Sequence, residues 1–308
     1  MGESERKVPA RRPAAPAWDE LWTLVKLAAP LSTTKFVGCL GRVVNLGFVG
    51  RLTGGGTSLA AASLASTFAG VTGYSSIVAL GGGLQTLGSQ SFGAGDFAAV
   101  GLHFQLSLLL VLAFCGLVIA PAYLASRPLL ELLGQTHGVA AAASKYLVLS
   151  LPAVASFGAR SSIQGFAQVQ YVVAPFTVNA IATTVVMVPL SYWLISSRLG
   201  FLGAAVANSA VSVLQLLLDG GYVLCSGLHR RCLKGWITSA HVSQALGPML
   251  RLSLASLLTL GEWWSSEITV LIAGRLPSAE DSLAAMGIYG YGTCRRAPRG
   301  APSSVPRG

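Results

Sequence analysis

Long apolar stretches separated by short polar links dominate this chain. The links at 51–58, 89–101 and 196–200 are short and rich in Gly or Ser. Each stretch is long enough to cross a bilayer as a helix, which needs about 20 apolar residues. A lone strand in lipid could not satisfy its backbone groups. The pattern predicts an all-α polytopic membrane protein, with spans near 24–49, 64–87, 102–124, 146–166, 172–195, 201–224 and 249–271.

The composition agrees with this prediction. Hydrophobic residues make up 53% of the chain and charged residues only 10%, whereas soluble domains carry about 25% charged residues. The 36 Gly residues also fit, because Gly is more frequent in transmembrane helices than in soluble ones. The expected surroundings are a lipid bilayer.

The net charge of +10 is explained by the placement of basic residues in and between the apolar segments. Between Leu21 and Gly261 the only acids are Asp96, Glu131 and Asp219, and the basic residues punctuate apolar runs. A nucleic-acid binder would concentrate them on one solvated face, so no nucleic-acid partner is expected.

The basic residues also predict the orientation of the spans. They cluster in two regions, the N-terminal tail and the link before the seventh segment, which six predicted spans separate. Both regions therefore lie on one face, and the positive-inside rule makes it cytosolic. Arg127 and Lys145 would then lie outside. The two clusters are Arg6, Lys7, Arg11 and Arg12, then Arg230, Arg231 and Lys234.

Three basic residues, Lys26, Lys35 and Arg42, lie within the first apolar segment. Lys26 can snorkel from the helix end, but Lys35 and Arg42 are deep and share one helix face. Either this face points into a watered cavity or the segment is tilted, or the two charges act on the substrate by repelling cations or attracting anions.

The last apolar segment carries two carboxylates, Glu262 and Glu267, in the stretch GEWWSSE. Ionisable groups at membrane depth are costly and usually mark an ion or substrate pathway. The two glutamates are five residues apart, so they do not share one narrow helical stripe. We expect one of them to face a cleft.

Several motifs between about Trp18 and Gly290 together resemble the multidrug and toxin extrusion (MATE) transporters, eukaryotic plant-type branch. They occur in the family's order along the chain. The matching stretches are LAAPLS around Pro30, GFVGRL with SLAAASLA, GGGLQTLGSQSFGAGD, QGFAQVQYVVAPF, LGFLGAAVANS and GEWWSSE.

The resemblance implies twelve helices in two six-helix lobes facing a central cleft, of which this chain would lack five helices. We expect a disordered cytosolic tail (1–17), a six-helix N-lobe (18–227), a cytosolic link (228–248), the first C-lobe helix with its loop (249–290) and a non-homologous coil tail (291–308). The Arg-, Pro- and Gly-rich ending predicts a C-terminal truncation, through a misread exon boundary or frameshift near Tyr289 or as a real short product.

By resemblance, Glu262 and Glu267 match acids of the eukaryotic branch, and Glu262 is the stronger candidate for proton coupling. A cation competing with a proton for this carboxylate would give antiport. Trp263 and Trp264 either offer an aromatic face to an organic cation or belong to an interfacial aromatic belt.

The N-lobe departs from the bacterial and archaeal pattern of an Asp on helix one and an Asn and an Asp on helix five. The matching positions are Asn45, Met187 and Ser191, so no N-lobe proton site is expected. Asp219 is interpreted as reaching the membrane interface. The predicted substrate cleft is lined by Asn45, Tyr74, Gln85 and Asn179 together with the two tryptophans.

The leading hypothesis is a secondary antiporter that exports organic cations, xenobiotics or secondary metabolites in exchange for protons or sodium. Its membrane would be vacuolar or plasma membrane. The alternatives are a non-transporting truncated lobe, which a missing C-lobe would complete, and a seven-helix receptor. No nucleophile–base or metal constellation predicts an enzyme, and no cofactor or metal is expected.

Overall fold

A computed structural model describes residues 17–53, 56–233, 235–236, 239–259 and Trp264. Within these residues the protein consists of helices and short turns, with no strand. The helices are α1 (Ala17–Leu52), α2 (Gly56–Ala69), α3 (Ser76–Gly93), α4 (Phe97–Phe114), α5 (Ala120–Leu124), α6 (Ser126–Leu132), α7 (His137–Leu149), α8 (Leu151–Val169), α9 (Ala174–Ser196), α10 (Leu202–Cys225), α11 (Leu228–Cys232) and α12 (Ser239–Thr259).

Two π-helical segments, Gly70–Ser75 and Cys115–Ile119, join helices without interrupting them. As a result, Gly56–Gly93 and Phe97–Leu124 are each one continuous span. Single π-turns of this kind occur frequently at functional sites.

Local sequence explains where several helices begin. The carboxylate of Asp96 accepts a hydrogen bond from the backbone N–H of Ala99 at 3.0 Å and caps α4. Pro152 and Pro175 stand in the first turns of α8 and α9, where the missing N–H of proline leaves no helical hydrogen bond unmade. The break before Pro152 bends α7 and α8 by 45°.

The predicted spans are largely confirmed. In the part of the chain that the structure describes, four helices are long and apolar enough to cross a membrane: Gly56–Gly93, Phe97–Leu124, Ala174–Ser196 and Leu202–Cys225. The fourth predicted span corresponds to the bent pair α7–α8. The first lies in α1, which is 36 residues long but carries the three basic residues noted above.

The start of the seventh predicted segment differs from the structure. Helix α12 begins at Ser239, ten residues before the apolar segment, and so occupies part of the predicted link 228–248. Hydropathy marks only where a helix enters the apolar core, and polar residues can extend the same helix beyond it. The rest of this segment, apart from Trp264, lies outside the described residues.

The helices pack as an interlocked bundle. Helix α1 lies along α9, α2 along α7, and α10 against both α8 and α9, while α3 contacts α4, α8 and α12. The last contact is close, because a Cβ atom added at Gly83 would lie 2.9 Å from the carbonyl oxygen of Met249. Only glycine permits this approach of α12 to α3.

The turns after α3, α8 and α10 meet at one end of the bundle. The rings of Phe92 and Tyr171 stack edge to face with centroids 5.9 Å apart. Gln105 donates a hydrogen bond to the carbonyl oxygen of Gly235 at 2.8 Å. Helix α11 lies so near α4 that a Cβ at Gly101 would collide with the backbone of Cys232. We call this end the link end.

Candidate functional site

A buried carboxylate lies inside the bundle, about one and a half helical turns from the link end. Asp219 on α10 is 1% exposed. One of its oxygens accepts a hydrogen bond from Gln164 Nε2 and the other accepts one from Asn179 Nδ2, each at 2.9 Å. The interpretation that Asp219 reaches the membrane interface is therefore wrong, because α8 and α9 cover it.

Arg160 stands one turn before Gln164 on the same side of α8. Its charge interacts with that of Asp219, although no direct ion pair joins them among the described residues, where the only ion pairs involve Glu131. The guanidinium carbon lies 5.3 Å from the ring centroid of Phe157. Its Nε atom is buried and has no hydrogen-bond partner within the described part of the chain.

Tyr74 extends this polar group towards the second span. It lies in the first π-helical segment, and its ring meets that of Phe157 edge to face with centroids 4.9 Å apart. Asn208 on α10 donates a long hydrogen bond of 3.5 Å to the Tyr74 hydroxyl. Tyr74, Phe157 and Arg160 therefore form a continuous row of ring and guanidinium groups.

Lys35 and Arg42 of α1 add two further cations. The charge of Lys35 interacts with those of Arg42 and Arg160, and Tyr74 lies within the electrostatic reach of Arg42 and Arg160. Both side chains are exposed, so their shared face lies on the outside of the described helices. We call Arg160 and Asp219, with their neighbours Tyr74, Gln164, Asn179 and Asn208, the interior polar cluster.

The predicted cleft residues of the first six spans separate into two groups. Tyr74 and Asn179 belong to the interior polar cluster. Asn45 is 7% exposed and donates a hydrogen bond to the carbonyl oxygen of Ala204 at 3.3 Å, so it lies in the contact of α1 with α10. Gln85 is exposed and stands eleven residues after Tyr74, about 16 Å further along the helix.

The residues that replace the prokaryotic acids are also packed. Met187 is 8% exposed and Ser191 is 1% exposed. A Cβ atom at Gly41 of α1 would lie 3.5 Å from the sulfur of Met187, so this part of α9 faces α1.

Most of the predicted C-lobe site lies outside the described residues, namely Glu262, Trp263 and Glu267. Trp264 is described. It is helical and partly buried, and its indole Nε1 is buried without a hydrogen-bond partner in the described part of the protein. An unpartnered indole N–H can donate a hydrogen bond to a ligand.

Four members of the cluster were missed as site residues: Arg160, Gln164, Asn208 and Asp219. Their signal is present in the sequence. Arg160 and Gln164 are four residues apart on one helix face, and Arg160 and Asp219 are opposite charges inside two predicted spans. Charges within spans pair with one another and face the bundle interior.

Taken together, the fold and site define a polytopic helical membrane protein with a polar interior, of the kind that moves solutes across a bilayer. The MatE family model matches residues 30–193, more than half of the chain. The chain therefore belongs to the MATE family, whose members are transporters.

Known proteins of this family resemble the chain in sequence and fold. Protein DETOXIFICATION 51 of Arabidopsis thaliana is 32% identical over 284 residues, covering 89% of this chain and 51% of that protein. Protein DETOXIFICATION 16 of the same plant is 32% identical over 262 residues, covering 84% and 52%. The crystal structure of the eukaryotic MATE transporter AtDTX14 superposes with a TM-score of 0.78 at 24% identity, covering 88% of this chain and 60% of that chain.

The chain thus spans about half the length of the curated relatives that it matches. The matched fold contains the six-helix N-lobe of these transporters, as the resemblance predicts. Because the chain belongs to this transporter family, the seven-helix receptor is no longer one of the alternatives.

Proposed function

We propose that this chain acts as the N-lobe and first C-lobe helix of a secondary antiporter. The transporter exports organic solutes, such as xenobiotics or secondary metabolites, with organic cations among them, in exchange for protons or sodium. The observation that carries the proposal is the family match over residues 30–193. A charged cluster where α8, α9 and α10 meet supports it, since intramembrane charges mark substrate or ion pathways.

In this proposal Glu262 couples transport to the proton gradient, with Glu267 assisting. A carboxylate in a water-poor cleft can hold a proton on one side of the membrane and release it when the cleft opens to the other. Trp263 and Trp264 would contribute an aromatic wall, and the unpartnered indole N–H of Trp264 suits a place beside a ligand.

The proposed topology keeps the domain boundaries of the sequence analysis and places the N-terminus and the 228–248 link in the cytosol. The membrane is the vacuolar or the plasma membrane. A cleft between two lobes requires the second lobe, so the proposal concerns the protein at its native length.

The test uses the protein purified at its native length and reconstituted into proteoliposomes with an imposed pH gradient. We expect uptake of a fluorescent organic solute that follows the gradient, and loss of this uptake in the Glu262→Gln variant. Glu131→Gln is the matched control, because Glu131 pairs with Arg127 and His137 at the surface of α6 and α7. Unchanged gradient-driven uptake in Glu262→Gln would remove Glu262 from the mechanism.

The alternative, a non-transporting lobe, is decided by the size of the native protein. An antibody against residues 1–16 would detect it on a blot. A band well above the 31.7 kDa of this chain supports the antiporter. A single band at that mass instead favours a lobe that acts by assembling with a partner.

A further inference from the structure

A cavity of about 390 Å³ opens at the link end of the bundle. The three turns that meet there border it, namely those after α3, α8 and α10. The span Leu202–Cys225 ends at the residue before Ser226, so the cavity lies at the depth where lipid headgroups begin. Its lining includes Phe92, Phe97, Gln170, Ser226, Gly227 and Arg231.

Two guanidinium groups border this cavity. Arg231 lines it. The side chain of Arg230 lies over Gly227, since a Cβ atom added at this glycine would be 3.7 Å from Cδ of Arg230. Both arginines are exposed, and every ion pair in the described part of the chain involves Glu131, which belongs to α6 at the other end of the bundle. Both guanidinium groups are therefore available to an anion.

The chain around this cavity carries more basic than acidic residues. The acid of the turn after α3, Asp96, uses one carboxylate oxygen to cap α4. The segment after α10 contains three basic residues, Arg230, Arg231 and Lys234. Basic residues directly beside a span are attracted to anionic lipid headgroups. The charge at this end therefore suits an anionic lipid.

Tyr171, in the turn after α8, has an unusual backbone conformation. Its φ angle is 61°, and it is the one non-glycine residue with a positive φ among the described residues. Such a conformation is costly for a bulky side chain and persists mainly at functional positions. The ring is 68% exposed, so packing in the core does not require it. A strained residue that places an aromatic ring at the surface indicates a contact beyond the described helices.

Two further exposed aromatic side chains belong to the link end. Phe97 is 38% exposed and meets Phe92 edge to face, with centroids 5.6 Å apart. Trp236 is 89% exposed and follows Gly235, which accepts the hydrogen bond from α4. Tyr and Trp rings concentrate at the headgroup level of a bilayer. The rings therefore provide an apolar surface beside the two guanidinium groups.

We propose that this cavity binds the phosphate of an anionic phospholipid from the leaflet that the link end faces. Arg230 and Arg231 bind the phosphate through charge-assisted hydrogen bonds. Phe92, Phe97 and Tyr171 contact the glycerol and the upper acyl chains. None of the lining residues belongs to the interior polar cluster, so the site goes beyond the proposed transport function. The lipid joins three connections between spans and is not the transported solute.

The test uses the 308-residue chain in nanodiscs that mix phosphatidylcholine with phosphatidylglycerol. The protein is released from the nanodiscs, and native mass spectrometry counts the lipids that stay bound. We expect phosphatidylglycerol to be retained in clear excess over its share of the nanodisc lipid. Retention of the two lipids in their nanodisc proportion would overturn the proposal.

Arginine variants assign the retained lipid to the cavity. Arg230→Gln combined with Arg231→Gln should lower phosphatidylglycerol retention about 25-fold, because each basic side chain near an anionic surface contributes about fivefold. The matched control is Arg51→Gln combined with Arg198→Gln, which removes two exposed arginines at the opposite end of the bundle. An equal loss in the control would show that total charge and not this cavity retains the lipid.

Tyr171→Gly separates the ring from the fold. Glycine adopts a positive φ without strain, so the variant keeps the turn and should unfold at no lower a temperature. We expect it to retain phosphatidylglycerol about threefold less well, because an aromatic contact is lost. Unchanged retention in the folded variant would contradict the contact of this ring with the lipid.

A competitor without acyl chains distinguishes a lipid from a soluble phosphate. Glycerophosphoglycerol has the headgroup of phosphatidylglycerol but lacks its acyl chains, and inorganic phosphate lacks the glycerol as well. We expect neither compound to displace the bound lipid when present at the same concentration. Displacement by either one would mean that the cavity recognises a soluble phosphate, which overturns the lipid site.

Discussion

Two helix contacts in this bundle differ in the side chains that form them: one is apolar and the other contains a charged group. Where α2 meets α7, the buried residues are mostly apolar and many are small, with Ala62 and Ala65 on one helix and Ala140 and Ala143 on the other. Where α8, α9 and α10 meet, the contact contains Asp219 with its two amide donors. The first contact holds helices by close packing, as membrane helices generally do.

The second contact costs more free energy than is needed to hold the helices together by packing alone. Burying a carboxylate beside a guanidinium incurs a desolvation cost that apolar residues of similar volume would avoid. A charged cluster retained inside a bundle whose other contacts are apolar therefore indicates function, and the apolar contact indicates stability. The predictions below separate these two roles.

The largest effect is expected from Asp219→Asn. The variant removes the carboxylate that offsets the charge of Arg160 and accepts two amide hydrogen bonds, and a buried charge left uncompensated costs about 3 kcal/mol. The measurement is equilibrium unfolding in mixed micelles, followed by circular dichroism. Asp96→Asn is the matched control, because Asp96 caps α4 at the surface and asparagine caps equally well.

A second variant at the same contact tests the cause. If the loss comes from the uncompensated guanidinium, Asp219→Asn combined with Arg160→Gln should recover part of the stability. Additive losses in the double variant would show that the two charges do not depend on each other.

A smaller effect is expected from Ala62→Leu in the apolar contact. Ala62 is 1% exposed, so the larger side chain must displace its neighbours, which costs about 1–3 kcal/mol. Gradient-driven solute uptake by the folded fraction should stay unchanged, because the interior polar cluster is elsewhere. Ala182→Leu on the exposed side of α9 is the control and should not alter stability. Altered gradient-driven solute uptake by folded Ala62→Leu would show that the two contacts are coupled.

The smallest perturbation comes from cysteine labelling, which determines the compartment that the link end faces. Cys225, six residues after Asp219, is exposed, whereas Cys232 is buried. Burial raises the pKa of the Cys232 thiol, and the positive charge of Arg231 offsets only part of that rise. At neutral pH Cys232 therefore holds less of the reactive thiolate, and we expect maleimide to label Cys225 at least about tenfold faster.

Peptide mapping by mass spectrometry identifies each labelled thiol. With a membrane-impermeant maleimide, Cys225 should react only after the cells are opened, because the adjoining 228–248 link is predicted to be cytosolic. Labelling of Cys225 on intact cells would reverse the predicted orientation of every span.

The sequence alone determined the class of fold. Apolar runs such as 102–124 and 201–224 must be helices in lipid whatever they pack against, because a backbone in hydrocarbon has to form its own hydrogen bonds. The same reasoning located the charged first segment and the acids of GEWWSSE. Hydropathy could not predict the break at Ser150 or the start of α12 at Ser239, since local turns and polar helix extensions leave no mark in it.

The tertiary structure decided which polar residues form a site. Asn45 and Asn179 look alike in sequence, yet Asn179 binds Asp219 while Asn45 joins α1 to α10. Asp219 lies near the end of its apolar run, where sequence alone allows contact with water. Only the packing of α8 and α9 around it excludes that contact. Membrane depth is a one-dimensional property that a sequence carries, whereas the neighbours of a side chain depend on how the helices rotate and pack.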